Sequence, residues 1–445
     1  MKVYIHKLGC PKNDVDADYI AARLADAGHE HVNDPDKADT VIVNTCGFIL
    51  PAKEESINAI LEFGQKKQEG KIRSLYATGC LSQRYGNEML KDIPELDGAF
   101  GHGALDSLAE TVTTGKHLES VVAIEPRKLG YLTWKHRLIT DSLPYSYLKI
   151  SDGCDRGCTY CAIPAMRGKY RSRPLDSILR EAQFLADNGK KELILVSQEA
   201  TLWGYGLDDS AGVITLLSEL EKIRGIEWIR LMYLYPPELS DEVIAYLGSG
   251  TKTLPYFDLP FQHVNSDILA RMRRRTDRKR VEYLVDTIRQ KCSDATLRTT
   301  FIVGFPGETE EQFEELMIYA EQTGFERMGV FAYSAEEGTP AAEFENQVPE
   351  EVKHDRLDRL MSLQREITFD LNAGLVGRSV HVLIDKVNDD GTVTGRTYAD
   401  CPDIDLDMVV ESSSLAVGDM VAVTVTRTDG YDLFAKPCER KKESA

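Results

Sequence analysis

The sequence predicts an α/β chain in three parts: an N-terminal parallel-sheet domain, a central partial (β/α)6 barrel and a small C-terminal β-barrel. Three observations support this. Over residues 1–115 short apolar runs alternate with amphipathic stretches, and the same alternation returns on a longer scale from 144 to 373. After Gly377 the helical period disappears and β-rich, turn-punctuated segments follow. At 445 residues the chain is also too long for one ordinary core.

In the first part, strands are expected at 3–9, 40–45, 74–79 and 98–103, with helices at 15–28 and 53–70 between them. Strands alternating with helices imply a parallel sheet with right-handed crossovers. Residues 116–143 lack periodicity and read as a linker. The central part, 144–373, offers strands at 147–151, 192–198, 228–234, 255–261, 297–304 and 328–334, with a helix at 310–324. Six units fall short of the eight that close a full barrel, so an open one is expected. Residues 354–377 read as a long helix ending at a glycine. From 374 to 440, SVHVLIDKV, GTVTGRTY, MVVES and DMVAVTVTRT suggest a small β-barrel.

The composition, 42% hydrophobic and 28% charged, is that of a globular protein. No apolar run approaches the roughly 18–20 residues that span a bilayer, and the N-terminus MKVYIHKLGC does not resemble a signal peptide. A cytoplasmic location without membrane contact is expected. The net charge of −19 argues against non-specific nucleic-acid binding and suits a basic partner. The one basic run, RMRRRTDRKR at 271–280, reads as a solvated surface helix, with contact to a nucleic-acid phosphate or a carboxylate near the barrel mouth as the sharper alternative.

Nine cysteines in a reducing compartment should be thiols or metal ligands. Cys292, Cys401 and Cys438 stand alone and read as structural. The other six form two sets of three. Cys154, Cys158 and Cys161, in ISDGCDRGCTYCAIP, follow the first strand of the barrel segment, where such folds place catalysis. Glycines 153 and 157 let the loop curl. Three local thiolates can hold three irons of a 4Fe–4S cluster and leave the fourth open to a substrate group. A zinc knuckle would want a fourth ligand close by. Cys10, Cys46 and Cys80 each follow a predicted strand, in KLGCPKN, VNTCGF and ATGCLS. Parallel strands bring their C-terminal ends to one edge, so these three thiols are expected to meet as a second 4Fe–4S site.

The central motif resembles the signature of the radical S-adenosylmethionine (SAM) superfamily. The resemblance implies that SAM binds the open iron and that an electron from the cluster cleaves it to methionine and a 5′-deoxyadenosyl radical. It further implies backbone contact with adenine at Tyr160 and polar SAM contacts at Gln198 and Glu199 in VSQEA. SAM-binding turns at Gly304 and Gly307 in TFIVGFPGETEEQF follow in the same way. Read alone, that last segment is a tight Gly-Pro turn before a helix.

GCPKN, NTCGF, ATGC, the cysteine loop with CAIPAMRGKYRSR, LPFQH, VGFPGET and YSAEEGTPA together resemble the radical SAM methylthiotransferases along the whole chain. That family's plan is a cluster domain, a radical SAM core and a terminal TRAM β-barrel. It attaches CH3S to an unactivated carbon, using two SAM and a sulfur donor. An electron donor such as flavodoxin or ferredoxin is implied.

The family's substrates are a transfer-RNA adenosine or an aspartate of the twelfth small-subunit ribosomal protein. Between Gly377 and Cys438 five basic residues face eleven acidic ones, a balance of −6. An RNA-docking domain should be basic, so a basic ribosomal protein is the expected partner, with nucleic acid met only as part of the ribosome. LGCPKN and the PDID segment resemble the ribosomal-protein branch. Asp403, Asp405 and Asp407 are the expected docking residues. The rival readings are a tRNA methylthiotransferase, a two-cluster electron carrier and a zinc-stabilised interaction protein.

Overall fold

The computed structural model describes residues 1–115, 137–207, 211–412 and 414–438. Most of the linker reading, 116–136, lies outside them.

The first part contains β1 (Lys2–Lys7), α1 (Pro11–Asp26), β2 (Glu30–His31), β3 (Thr40–Thr45), α2 (Leu50–Gln68), β4 (Ser74–Gly79), α3 (Cys80–Asp92), β5 (Gly98–Phe100) and α4 (Leu105–Thr114). The five strands run in the order β2-β1-β3-β4-β5, paired in parallel. β3, TVIVNT, is buried along its whole length, as a central strand covered on both faces must be. The order reverses between β1 and β3. At such a switch point the chains leaving two neighbouring strands diverge and open a crevice beyond their carboxyl ends. The strand expected at 98–103 stops at Phe100, and Gly101–His102 turn away toward the crevice.

The central part contains β6 (Tyr145–Lys149), β7 (Ser151–Asp152), α5 (Ile163–Arg167), β8 (Arg171–Ser172), α6 (Leu175–Asp187), β9 (Glu192–Val196), α7 (Val213–Leu220), β10 (Trp228–Leu231), α8 (Asp241–Ser249), β11 (Tyr256–Gln262), α9 (Ser266–Arg271), α10 (Arg278–Lys291), β12 (Thr296–Val303), α11 (Glu310–Thr323), β13 (Arg327–Ala332) and α12 (Glu350–Ala373). Two parallel three-stranded sheets, β6-β9-β10 and β11-β12-β13, meet where Leu254 N–H donates to Ile229 C=O at 2.9 Å and Leu234 N–H to Asp258 C=O at 2.9 Å. The six expected strands thus form one open arc. Alternation along each strand divides its residues: Leu193, Leu195, Ile229 and Leu231 face the outer helices. Tyr145, Tyr147, Ile194, Val196, Met232 and Tyr256 belong to a second core shared with α1 of the first part.

Arg137, beyond the undescribed segment, clamps that contact. Its buried guanidinium reaches Asp18 of α1 at 2.9 Å and Glu181 of α6 at 3.0 Å.

The last part, β14 (Ser379–Val387), β15 (Val393–Arg396), β16 (Met408–Val410), β17 (Met420–Asp429) and β18 (Asp432–Pro437), closes into a five-stranded barrel. Its core is small and aliphatic: Val382, Ile384, Val393, Val410, Val423 and Val425. The segment joining β15 to β16 leaves this barrel and covers the N-terminal ends of the central strands.

Candidate metal centres and cofactor site

Cys10, Cys46 and Cys80 emerge at the carboxyl edge of the first sheet, around its switch point. Cys10 caps α1, Cys46 follows β3, and Cys80 opens α3. The three turns touch so closely that only glycine fits between them. A Cβ on Gly9 (φ +88°) would stand 2.7 Å from the Cys46 Cβ, and one on Gly79 (φ +99°) 2.5 Å from the Thr45 carbonyl oxygen. Burial, then the neighbouring Cys80, pushes the Cys46 thiol up to about 12. Burial also raises Cys80, opposed by the Arg167 guanidinium. His102 Nε2 lies 3.1 Å from the Cys80 sulfur.

Cys154, Cys158 and Cys161 sit beyond β6 and β7, at the carboxyl end of the central strands. Gly153 (φ +81°) passes hard against the Lys169 carbonyl, and Cys154 N–H donates to Gly168 C=O at 3.1 Å. Arg274 comes within 3.7 Å of the Cys158 sulfur and stacks on Tyr235, whose ring also lies under Arg156. Burial raises Cys154 to about 11 and Cys161 to about 12, the latter helped by Cys158.

Among the described residues no three His, Cys, Asp or Glu side chains close on one mononuclear ion, so each set is judged on its donors and its cradle. Three soft thiols on glycine-relieved turns fit an iron–sulfur cluster, which takes one thiolate per iron.

The remaining sequence-predicted residues surround the central loop. Gln198 Oε1 accepts from Gly153 N–H at 2.8 Å and so braces the loop. The Glu199 carboxylate is held by Arg156. Tyr160 is half-buried beside Phe305 and Tyr333. Gly304 (φ +70°) and Gly307 (φ +74°) leave room for Lys353 and Arg271, which a side chain at either position would strike.

Three profiles match the chain: "Uncharacterized protein family UPF0004" over residues 2–101, "Radical SAM superfamily" over 148–320 and "TRAM domain" over 376–438. Each cysteine set falls inside one of the first two. The chain is 43% identical to the ribosomal protein uS12 methylthiotransferase RimO of Desulfitobacterium hafniense, over 98% of both chains. It is 42% identical to that of Aquifex aeolicus, over 99% of this chain and 98% of the other. The chain belongs to the RimO family of radical SAM methylthiotransferases. SAM and a 4Fe–4S cluster follow from that membership. A solved radical SAM methyltransferase, TsrM from Kitasatospora setae, shares the fold with a TM-score of 0.57 at 16% identity, over 74% of this chain and 72% of that one.

In this RimO-family chain the two cysteine sets share a wall. Cys80 packs against Ala162 and Met166, in the turn that follows Cys161. Arg167 crosses the boundary, bonding Asp16 at 2.9 Å and Asn13 at 2.6 Å on α1 and approaching Asp152 at 3.6 Å beside the central loop. Lys149 pairs with the same Asp16. Arg167 stands inside the CAIPAMRGKYRSR motif. By contrast, the roles of His102, Asp16, Lys149 and Arg274 carried no local signal, because each depends on a partner brought in by the fold.

Two expectations are corrected. Asp405 is not an open docking residue. Its side chain is 2% exposed and accepts from Tyr256 O–H at 2.5 Å and Cys401 N–H at 2.8 Å, with Arg298 at 3.5 Å. Burial dominates because the segment plugs the central barrel. Asp403 is exposed, though its carboxylate accepts from Tyr147 O–H at 3.1 Å, and Asp407 is exposed. The basic run 271–280 is not a surface helix either. Arg271 ends α9 and Arg278–Arg280 open α10, while 272–277 form the turn between them, with Arg273 and Arg275 in left-handed backbone and Arg274 buried under the cysteine loop.

No helix among the described residues is long and apolar enough to cross a membrane.

Proposed function

We propose that this chain transfers a methylthio group to the β-carbon of an aspartate in ribosomal protein uS12. Cys154, Cys158 and Cys161 would hold the cluster that binds SAM, and Cys10, Cys46 and Cys80 a second 4Fe–4S cluster. When bound, these groups supply the radical, the methyl group and the sulfur. The chain's own residues do the rest. Gln198 and Gly153 hold the central loop's shape, Arg156 and Arg274 place cationic charge beside its thiolates, and Arg167 ties the two cysteine-bearing domains into one site.

The observation carrying this reading is the wall shared by the two sets, with Cys80 against the turn after Cys161. Sulfur delivery and hydrogen removal must act on one carbon, so the two centres have to face a common space. An aspartate β-carbon has no leaving group and no usefully acidic proton, which leaves acid–base catalysis little purchase. The names of relatives such as those of D. hafniense and A. aeolicus favour uS12 over a tRNA adenosine. A small one-electron carrier of the flavodoxin or ferredoxin kind would serve as reductant, and the enzyme would work in the cytoplasm.

The test is to incubate the anaerobically reconstituted protein with SAM, a reductant, a sulfur donor and uS12, then to map the product by mass spectrometry. One methylthio group replacing one hydrogen on an aspartate is the expected result. Methylthiolated tRNA adenosine with uS12 untouched would overturn the substrate.

A further inference from the structure

The buried and half-buried cations at this site are nearly all matched to a carboxylate: Arg167 and Lys149 to Asp16, Arg156 to Glu199, Arg298 to Asp258. Two are not. Arg274 spends its guanidinium on the Pro260 carbonyl, the Cys158 sulfur and the Tyr235 ring. Lys12 is different. It is 7% exposed, and among the described residues its ammonium makes one hydrogen bond, to Ser197 C=O at 3.2 Å, and pairs with no carboxylate. An ammonium carries three donors, and burying one without counter-charge is costly.

The surroundings are built to hold that ammonium in place. Lys12 lies two residues beyond Cys10, on the first turn of α1. Ser197 follows β9 and Tyr233 lies just beyond β10, both on the carboxyl rim of the central arc. The Tyr233 ring lies beneath the ammonium, with its centroid 3.4 Å from Nζ. Tyr233 adopts φ +62°, a conformation seldom taken by a bulky residue, and its N–H is tied to the Asp258 carboxylate at 2.9 Å. Strain kept at such a place orients the ring. Lys12 therefore places a buried cation with no carboxylate partner between Cys10 and the carboxyl rim of the central arc.

We propose that Lys12, with the Ser197 carbonyl and the Tyr233 ring, forms a carboxylate subsite that grips the side chain of the target aspartate. The inference rests on the uS12 reading above. The β-carbon of an aspartate is bonded directly to its carboxylate carbon. Fixing the carboxylate on Lys12 therefore leaves that carbon little freedom, and its hydrogens are presented to the shared space. Asparagine has the same shape without the charge, so the subsite also selects aspartate over its amide.

SAM carries a carboxylate too, and the experiment separates the two sources. Binding of uS12, and of a uS12 variant with the target aspartate changed to asparagine, is measured on the reconstituted wild type, Lys12→Met and Lys12→Arg. SAM affinity and iron content are measured alongside. Wild type should favour the aspartate form about ten- to a hundredfold, the worth of a charged hydrogen bond. Lys12→Met should bind the two forms alike, with SAM affinity and iron content unchanged, and Lys12→Arg should keep part of the preference. Retained discrimination in Lys12→Met would sink the subsite alone, as would weakened SAM binding with discrimination intact. A wild type that binds neither form of uS12 would instead sink the substrate reading beneath it.

Discussion

Glu192 and Arg396 are joined at 2.9 Å with both side chains out of water, 204 residues apart in the chain. Glu192 begins β9 and Arg396 ends β15, so the pair fastens the terminal barrel to the N-terminal end of the central one. Arg230 holds the other Glu192 oxygen at 2.8 Å, and Asp385 takes the second side of Arg396.

Breaking this pair from one side strands the other charges. Glu192→Gln should cost about 3–5 kcal/mol of unfolding free energy. Burial opposes the Glu192 charge, but Arg396 and Arg230 overcome it and hold its carboxyl below the usual glutamate range. A group whose folded value is depressed stabilises fully above its unfolded value, about 4.3, and loses that effect as the pH falls. The gap between wild type and Glu192→Gln, read from denaturant unfolding, should therefore narrow below about pH 4.3.

The two cysteine sets should separate cleanly in metal content. Wild type should carry about eight irons as two 4Fe–4S clusters. Replacing Cys10, Cys46 and Cys80 by Ala should leave about four irons and measurable SAM cleavage, with no sulfur insertion. Replacing Cys154, Cys158 and Cys161 should abolish 5′-deoxyadenosine formation. Iron analysis and product chromatography read both, and about eight irons in either triple variant would contradict the assignment.

His102 supports Cys80 from behind. Outer partners of metal ligands are commonly worth 10–100-fold in affinity. His102→Leu should weaken iron retention at the N-terminal set by about that factor in chelator competition, leaving the central set loaded. Equal loss from both sets would mean a general loss of fold instead.

The acidic terminal segment divides by burial. Asp405→Lys places a cation beside Arg298 and under Tyr256, and should lower stability by about 3–5 kcal/mol in a thermal or denaturant melt. Asp407→Lys, on the exposed side, should stay within about 0.5 kcal/mol of wild type. Equal tolerance at both positions would show that the plug is not closed in solution.

Features that depend on neighbours along the chain could be read from the residues alone. Strand TVIVNT, the turns that place each cysteine at a strand end and the change of texture after Gly377 are local patterns of apolar period and turn residues, and the structure keeps them. The two three-cysteine sets rest on patterns of the same local kind: Cys10, Cys46 and Cys80 each lie just after a strand, and Cys154, Cys158 and Cys161 share one loop. Which charges meet depends instead on how distant elements pack. Lys12 and Ser197 lie 185 residues apart, and Arg167 and Asp16 151. In sequence Asp405 and Asp407 are equivalent acidic residues, two positions apart. One is buried against Arg298 and the other left in water because the segment between β15 and β16 happens to cross the end of the central barrel there. A side chain's partner, and hence the meaning of its charge, is set by how distant elements pack, and no local period encodes that.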